Sequence, residues 1–147
     1  MTAHIVTDGP QSHWMKVHLK GNATAVANSL GSILNPEGVD LHINEGYMKV
    51  ITPSAGAADL DIGVGLTGAD STDIASDLQI DGYAADQIYY LVSNNSASQD
   101  AATTPQGLLW GDGRYLNFYN NAAAESSAFE AYCYFRYIRI GDDLTLA

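Results

Sequence analysis

Short extended segments separated by turn residues recur along this chain, and no segment carries the apolar period of an amphipathic helix. In ADLDIGVGL, for example, apolar Leu60, Ile62 and Val64 alternate with Asp61 and with glycine, as in a strand that has one buried face. Gly, Asn, Asp, Pro and Ser occupy the stretches between such segments. We therefore predict an all-β fold of about eight strands, either a β-sandwich or a closed barrel.

Turn signals indicate where the strands begin and end. HWMKVHLK, residues 13–20, alternates as a strand or an extended arm, and Asn-Pro-Glu-Gly at 35–38 suits a tight reversal because proline fixes φ. LLWGDGRYLNFYNN predicts a hairpin between residues 108–110 and 115–119, and AFEAYCYFRYIRI predicts a long final strand. Residues 68–86 are expected to form a long connection with room for one helical turn.

The domain organisation follows from length and from a shift in composition. A chain of 147 residues is most simply one domain that buries a sizeable core. Histidines and lysines concentrate near the N-terminus, whereas the middle of the chain is acidic. We predict an N-terminal arm over residues 1–22, a β-sandwich domain over 23–141 and a C-terminal tail over 142–147.

Net charge and hydropathy exclude several classes of partner. The formal charge is −11, and residues 50–113 contain no Lys or Arg. Nucleic acids and anionic membranes are bound through Lys and Arg, so we expect neither as a partner. No apolar run is long enough to span a bilayer, and the first residues lack the apolar core of a secretory signal.

Signatures of catalysis are absent from the sequence. Cys133 is the only cysteine, which rules out an internal disulfide, and its apolar surroundings favour a small buried side chain. His13 and His18 lie five residues apart, on opposite faces of a strand, and no Gly-x-Ser-x-Gly nucleophile motif occurs. We predict that the protein is not an enzyme and has no catalytic residue, cofactor or metal ligand.

The acidic side chains allow two further hypotheses, a hydrolase site and a cation site, for which the sequence evidence is weaker. Asp59 and Asp61 share one strand face, as the paired carboxylates of a hydrolase would. The acidic loop 68–86 has carboxylates for a cation but lacks the spacing of a calcium loop.

The final strand has apolar groups on both faces. Ala131, Cys133, Phe135 and Tyr137 share one side, and the other carries a second apolar set. A strand with one solvated face should alternate cleanly, so the second face is expected to be covered, either by a partner subunit or by the chain's own loops. The predicted subunit interface comprises Tyr132, Tyr134 and Ile138.

A similar ambiguity affects DLHINEGYMKVITP. Leu41 and Ile43 have one parity, whereas Met48 and Val50 have the other. Either a β-bulge at Glu45-Gly46 switches the faces, or Tyr47 and Ile51 continue the first face while Met48 and Val50 point into the subunit interface.

The order of these segments resembles a known family. SILNPEGVDLHINEGYMKVITPSAGAADLDIGVG, an Asp- and Ser-rich loop, LQIDGYAAD and the final aromatic strand are similar to the jelly-roll capsid decoration, or cement, proteins of tailed bacteriophages. The likeness spans residues 28–140, and its motifs are turn and strand patterns. The N-terminal segment and the loop 93–106 depart from it.

The resemblance implies an all-β, jelly-roll-like antiparallel β-sandwich of about eight strands with an extended N-terminal arm, and it implies a structural role. Such a protein would be a homotrimer, made in the host cytoplasm, that sits on the outer surface of the virion and stabilises the capsid by clamping adjacent major capsid proteins. The arm would make the capsid contact, because aromatic and basic groups favour an interface and the body is acidic. Its expected contact residues are His13, Trp14, Lys16, His18 and Lys20. The alternative is a carbohydrate- or receptor-binding β-sandwich module on a virion or cell surface.

Overall fold

The computed structural model describes residues 12–92 and 108–140, so the first half of the predicted arm, the loop 93–106 and the tail 142–147 lie outside the described residues. Within the described ranges the chain forms nine strands, and no helix that could cross a membrane is found there. The strands are β1 His13–Lys20, β2 Asn28–Leu34, β3 Leu41–Thr52, β4 Asp59–Gly65, β5 Ala75–Gln79, β6 Ile88–Val92, β7 Leu108–Trp110, β8 Tyr115–Asn120 and β9 Glu130–Arg139.

The strands form two antiparallel sheets with the topology of a jelly roll. Sheet A has the order β1-β9-β3-β6, with the short β7 beside β3, and sheet B has the order β2-β8-β4-β5. Without β7, the eight remaining strands form two four-stranded sheets, and successive strands change sheet except at β4 and β5, as two Greek keys produce. The predicted all-β sandwich of jelly-roll type is therefore confirmed.

The core lies between the sheets and is formed by the inward residues of both. Trp110, Phe118 and Phe135 are its largest fully buried side chains, and the rings of Phe118 and Phe135 meet across the sandwich at 6.2 Å. Cys133 is fully buried among them, and burial raises the pKa of its thiol to about 12. Each large side chain buried there stabilises the fold by roughly 2 kcal/mol.

The parity change in β3 comes from a bulge, as the first of the two alternatives predicts. The pairing with β9 skips Asn44, so Leu41 and Ile43 before the bulge and Met48 and Val50 after it all face the core. Both Met48 and Val50 are fully buried. Their assignment to a subunit interface is therefore wrong, because side chains enclosed between the sheets cannot contact a neighbour.

Two local predictions are also corrected. β7 pairs with β3 in sheet A, while β8 pairs with β2 and β4 in sheet B, so the predicted hairpin is instead a crossing between the sheets. Trp110 explains this, because its buried ring closes the core where the chain crosses. The connection 68–86 contains strand β5. Its sequence does not show the apolar alternation of a strand, because Asp77 takes a left-handed φ of 53° and interrupts the extended backbone.

The Asn-Pro-Glu-Gly turn joins β2 of one sheet to β3 of the other. Asn35 is buried, and its side-chain amide donates to the carbonyl oxygens of Val39, Trp110 and Gly111 at 2.9, 2.9 and 3.0 Å. One side chain thus ties together the two places where the chain passes between the sheets.

The boundary predicted for the arm is corrected at its C-terminal part. Residues 13–20 form β1, which pairs along its whole length with β9. The sandwich therefore begins at His13 rather than at residue 23. The alternation predicted for this segment holds, since Leu19 is buried and Met15 and Val17 pack against the core.

Candidate functional site

The outward side of sheet A, hereafter the tyrosine face, gathers the aromatic and basic residues that the alternating strands turn away from the core. Directly paired residues of neighbouring strands share a face, so the registers fix which side chains lie side by side. One row across the sheet runs from Lys16 through Tyr134 and Tyr47 to Tyr90. The next row contains His18, Tyr132, Lys49 and Ile88.

Stacked rings fill the middle of the tyrosine face. The rings of Tyr47 and Tyr134 lie 4.9 Å apart with 19° between their planes, and those of His18 and Tyr132 lie 4.8 Å apart at 28°. The ammonium group of Lys16 sits 4.0 Å from the centre of the Tyr132 ring, within the range of a cation–π contact. These side chains are held in place by one another.

Polar contacts fix the two ends of the same face. His18 Nε2 lies 2.7 Å from Oε1 of Glu130, and Arg136 meets Oε2 of Glu45 at 3.3 Å. The guanidinium of Arg136 also lies 5.9 Å from the Trp14 ring. Surface pairs of this kind contribute little stability, up to about 1 kcal/mol each, but they hold cationic groups beside aromatic rings.

Charge is distributed unevenly between the tyrosine face and the rest of the molecule. Four of the six Lys and Arg residues lie on this face, together with two carboxylates, and a third carboxylate, that of Asp86, lies 3.6 Å from Lys49, which gives the face a formal charge of +1. The remaining two cations and fourteen carboxylates give the rest of the chain a charge of −12. The four cations are Lys16, Lys20, Lys49 and Arg136, and the three carboxylates are Glu45, Glu130 and Asp86.

Exposed apolar groups are concentrated here too. Of the eight large hydrophobic residues exposed in the described ranges, Trp14, Ile88, Tyr90 and Leu109 lie on the tyrosine face. Trp14 is 52% exposed and Tyr90 is 72% exposed. Tyr, Trp and Arg are the residue types enriched in protein interfaces, so the face has the composition of a contact surface.

The aspartates gather on the opposite, outward side of sheet B. Asp61 is buried, and its carboxylate accepts hydrogen bonds from the backbone N–H of Asp77 and the side chain of Asn121, both at 2.7 Å. The pKa of Asp70 is raised, first by loss of hydration and then by the charge of Asp61, to which it is hydrogen-bonded. Burial, followed by the charges of Asp77 and other neighbouring aspartates, likewise raises the pKa of Asp59.

This aspartate cluster does not have the geometry of a cation site. Within residues 12–92 and 108–140, no group of three His, Cys, Asp or Glu side chains is arranged to hold a metal ion. The buried carboxylate of Asp61 is engaged in structural hydrogen bonds. The cluster therefore helps to anchor the β4–β5 connection.

No protein-family model matches this chain, and no curated protein matches it either. Among solved structures, the chain is similar to the "Crystal structure of infectious bursal disease virus VP2 subviral particle", with a TM-score of 0.31 and 15% identity. That alignment covers 92% of this chain and 43% of the other, so this chain spans less than half the length of the protein that it matches. A TM-score this low does not support an inference from that structure. The jelly-roll topology is assigned from the strand order of the two sheets.

The structure brings two predicted surfaces together. Four of the five residues assigned to a capsid-contacting arm share the tyrosine face with all three of the remaining residues assigned to a subunit interface. His13 is the exception, because it pairs with the buried Tyr137 and stacks on its ring at 5.5 Å. The residues that share the face are Trp14, Lys16, His18 and Lys20 with Tyr132, Tyr134 and Ile138.

Sequence reasoning missed several members of the face. Tyr90 and Ile88 belong to a short strand with no clear alternation, and only its pairing with β3 places them beside Tyr47 and Lys49. The aromatic content of QIYYLV was the available signal, but it does not say which of its adjacent tyrosines points outward.

Proposed function

We propose that this protein is a structural virion protein that binds the outside of a tailed-phage head as a homotrimer. It would stabilise the capsid by clamping adjacent major capsid proteins. The observation that carries the proposal is the tyrosine face, a surface of interface composition on one side of a jelly roll whose remaining surface is acidic, because it provides the subunit contact that a homotrimer on the shell needs. The sequence resemblance to decoration proteins suggests the phage capsid as the partner. The proposed function includes no catalytic activity.

The work of such a protein is mechanical. Each contact between a subunit and the shell contributes modest free energy, but contacts that are engaged together act at high effective concentration and multiply into strong avidity. β1 and β3 are paired along β9, so the sandwich can bind the shell without changing its conformation. The shell would then resist internal pressure better with the protein bound than without it.

Co-sedimentation with capsids tests the proposal. Purified protein is mixed with heads of the phage that encodes it, and bound protein is measured after pelleting, together with the temperature at which the heads open. We expect saturable binding and a higher opening temperature. Protein that stays in the supernatant at every concentration would refute a capsid-binding role.

A carbohydrate-binding module is the second candidate function, and the exposed rings of Trp14 and Tyr90 on one open face favour it. The stacking of Tyr47 on Tyr134 counts against it, because rings that cover each other's faces do not offer them to a sugar. A glycan array decides between the two, since binding to defined glycans that Trp14→Ala abolishes would support this second function.

A further inference from the structure

The residues of the tyrosine face were predicted to contact two different partners, the capsid and a neighbouring subunit. One face cannot bind both at the same time. We propose that a second copy of this chain covers the tyrosine face, placing part of its acidic surface against the face. This inference deepens the proposed function and rests on its self-assembling part. It also implies that the capsid contact uses other surfaces.

Charge complementarity favours a second copy as the occupant. The tyrosine face carries +1 when Asp86, the ion-pair partner of Lys49, is counted with it, whereas the rest of the same molecule carries −12. Copies of this chain repel one another when two acidic surfaces meet, and that repulsion is relieved where the cationic face of one meets the acidic surface of another. The chain therefore supplies both halves of a complementary pair.

The size of the face is adequate for such a contact. Four strands spaced by about 4.8 Å, each about eight residues long at roughly 3.3 Å per residue, present a flat area of about 500 Å². Protruding side chains enlarge the surface that becomes buried, towards the roughly 800 Å² per partner of a standard interface. Exposed Tyr90 and Trp14 provide the apolar anchors.

The face is also organised before any partner arrives. Lys16 rests 4.0 Å from the centre of the Tyr132 ring, and Arg136 is held between Glu45 and Trp14. Side chains that are already fixed lose less conformational entropy on binding. The cations are thus displayed in a set pattern that acidic groups of a neighbour can meet.

The geometry of such a contact is head-to-tail. The surface used by one copy differs from the surface used by its neighbour, so the contact is heterologous, and it closes into a ring when the rotation between copies allows it. A closed ring of three is the assembly that the proposed function requires. The contact belongs to that assembly, so it would persist in solution without any capsid.

Two matched pairs of variants test the inference. Tyr90→Ser removes an exposed apolar group from the tyrosine face, and Leu66→Ser removes one of equal exposure, 69% against 72%, from outside it. Lys16→Glu reverses a charge on the face, and Arg114→Glu does the same on the connection between β7 and β8. All four side chains are exposed, so folding should persist, and circular dichroism checks it.

Sedimentation velocity gives the readout. We expect the unmodified protein to show a multiple of its 15.7 kDa mass at micromolar concentration, and to dissociate as NaCl rises from about 50 to about 500 mM. Tyr90→Ser and Lys16→Glu should weaken self-association by about tenfold or more, while the two control variants should change it by less than about twofold.

The outcomes separate this inference from the proposed function. A protein that is monomeric up to about 100 μM overturns the inference, as does an oligomer that all four variants leave intact. If a monomer binds capsids and Tyr90→Ser abolishes that binding, the face belongs to the capsid, so the inference falls while capsid binding stands. If the face variants dissociate the oligomer but the protein never pellets with capsids, the inference stands and the proposed function fails.

Discussion

The two sheets of this sandwich share one core but cover their outer faces in different ways. Over sheet B the chain covers itself, since Asn117 is buried beneath the β4–β5 connection and donates to the carbonyl oxygen of Thr67 at 2.9 Å. Over sheet A, within the described residues, the aromatic side chains are covered by one another and by the cationic groups of Lys16 and Arg136. The outward groups of a sheet can therefore be covered by a connection of the same chain or by contacts among the outward side chains themselves.

A clash beneath the connection that covers sheet B should produce the largest effect. A methyl group at Gly63 would lie 2.6 Å from backbone atoms of Ser71, and backbone atoms cannot move aside as the end of a flexible side chain can. We expect Gly63→Ala to lower the free energy of unfolding by about 3 kcal/mol, measured by urea denaturation. Gly82→Ala is the control, because its methyl group would lie at an ordinary contact distance of 3.5 Å from the carbonyl oxygen of Gln79 and should cost less than about 0.5 kcal/mol.

Removing the polar anchor beneath that loop should cost somewhat less. Asn117 accepts a hydrogen bond from Ser32 at 2.8 Å while its amide donates to Thr67, so Asn117→Ala breaks both hydrogen bonds at once. The expected loss is about 2 kcal/mol in the same denaturation experiment. Ser32→Ala breaks only one of them and leaves Oδ1 of Asn117 without this donor, so it should cost about 1 kcal/mol, and equal losses for both variants would contradict the anchoring role of Asn117.

On the open side, the stacked tyrosines should be coupled to each other. A double-mutant cycle with Tyr47→Ala and Tyr134→Ala is expected to give an interaction energy of about 1 kcal/mol. The cycle that pairs Tyr47→Ala with Tyr119→Ala on sheet B should be additive within about 0.3 kcal/mol, because those residues lie on opposite outer faces. Additivity in both cycles would mean that the stacking contributes nothing.

The smallest effect concerns the aspartates of the covered side. A carboxyl whose pKa is raised in the folded state, as at Asp70, favours folding at pH below its unfolded value of 3.8, and that contribution is lost as pH rises through the folded value. Asp70→Asn should therefore stabilise the protein at pH 7 by about 0.5 kcal/mol, a figure that allows for screening by solvent, and by nothing near pH 3.5. Asp112→Asn, remote from Asp61, is the control, and a gain that does not vary with pH would exclude the electrostatic cause.

The sequence predicted the strands with strong alternation and failed where the pattern is interrupted. Apolar alternation located β1, β4 and β9, and the change of parity in β3 already allowed a bulge. β5 went unrecognised because Asp77 departs from extended backbone, and local pattern cannot reveal such a departure. The sheet to which a strand belongs depends on pairings between distant residues, so β7 and β8 read as a hairpin although they lie in different sheets.

The candidate site was predictable residue by residue but not as a surface. Composition singled out Trp14 and Lys16 at one end of the chain and Tyr132 and Tyr134 at the other. Only the register of β1 on β9 shows that they are neighbours, since more than a hundred residues separate Lys16 from its partner Tyr134.

The position of β9 has a consequence for synthesis. β9 lies between β1 and β3, so the strand made last among those described occupies the middle of sheet A. A ribosome adds roughly 5–20 residues per second. Until residues 130–139 emerge, β1 has no partner strand, so two of the four strands that form the tyrosine face, β1 and β9, are not in place. The surface that a neighbour would recognise therefore exists only on a chain whose translation has passed β9, so growing chains on one messenger RNA are protected from premature assembly.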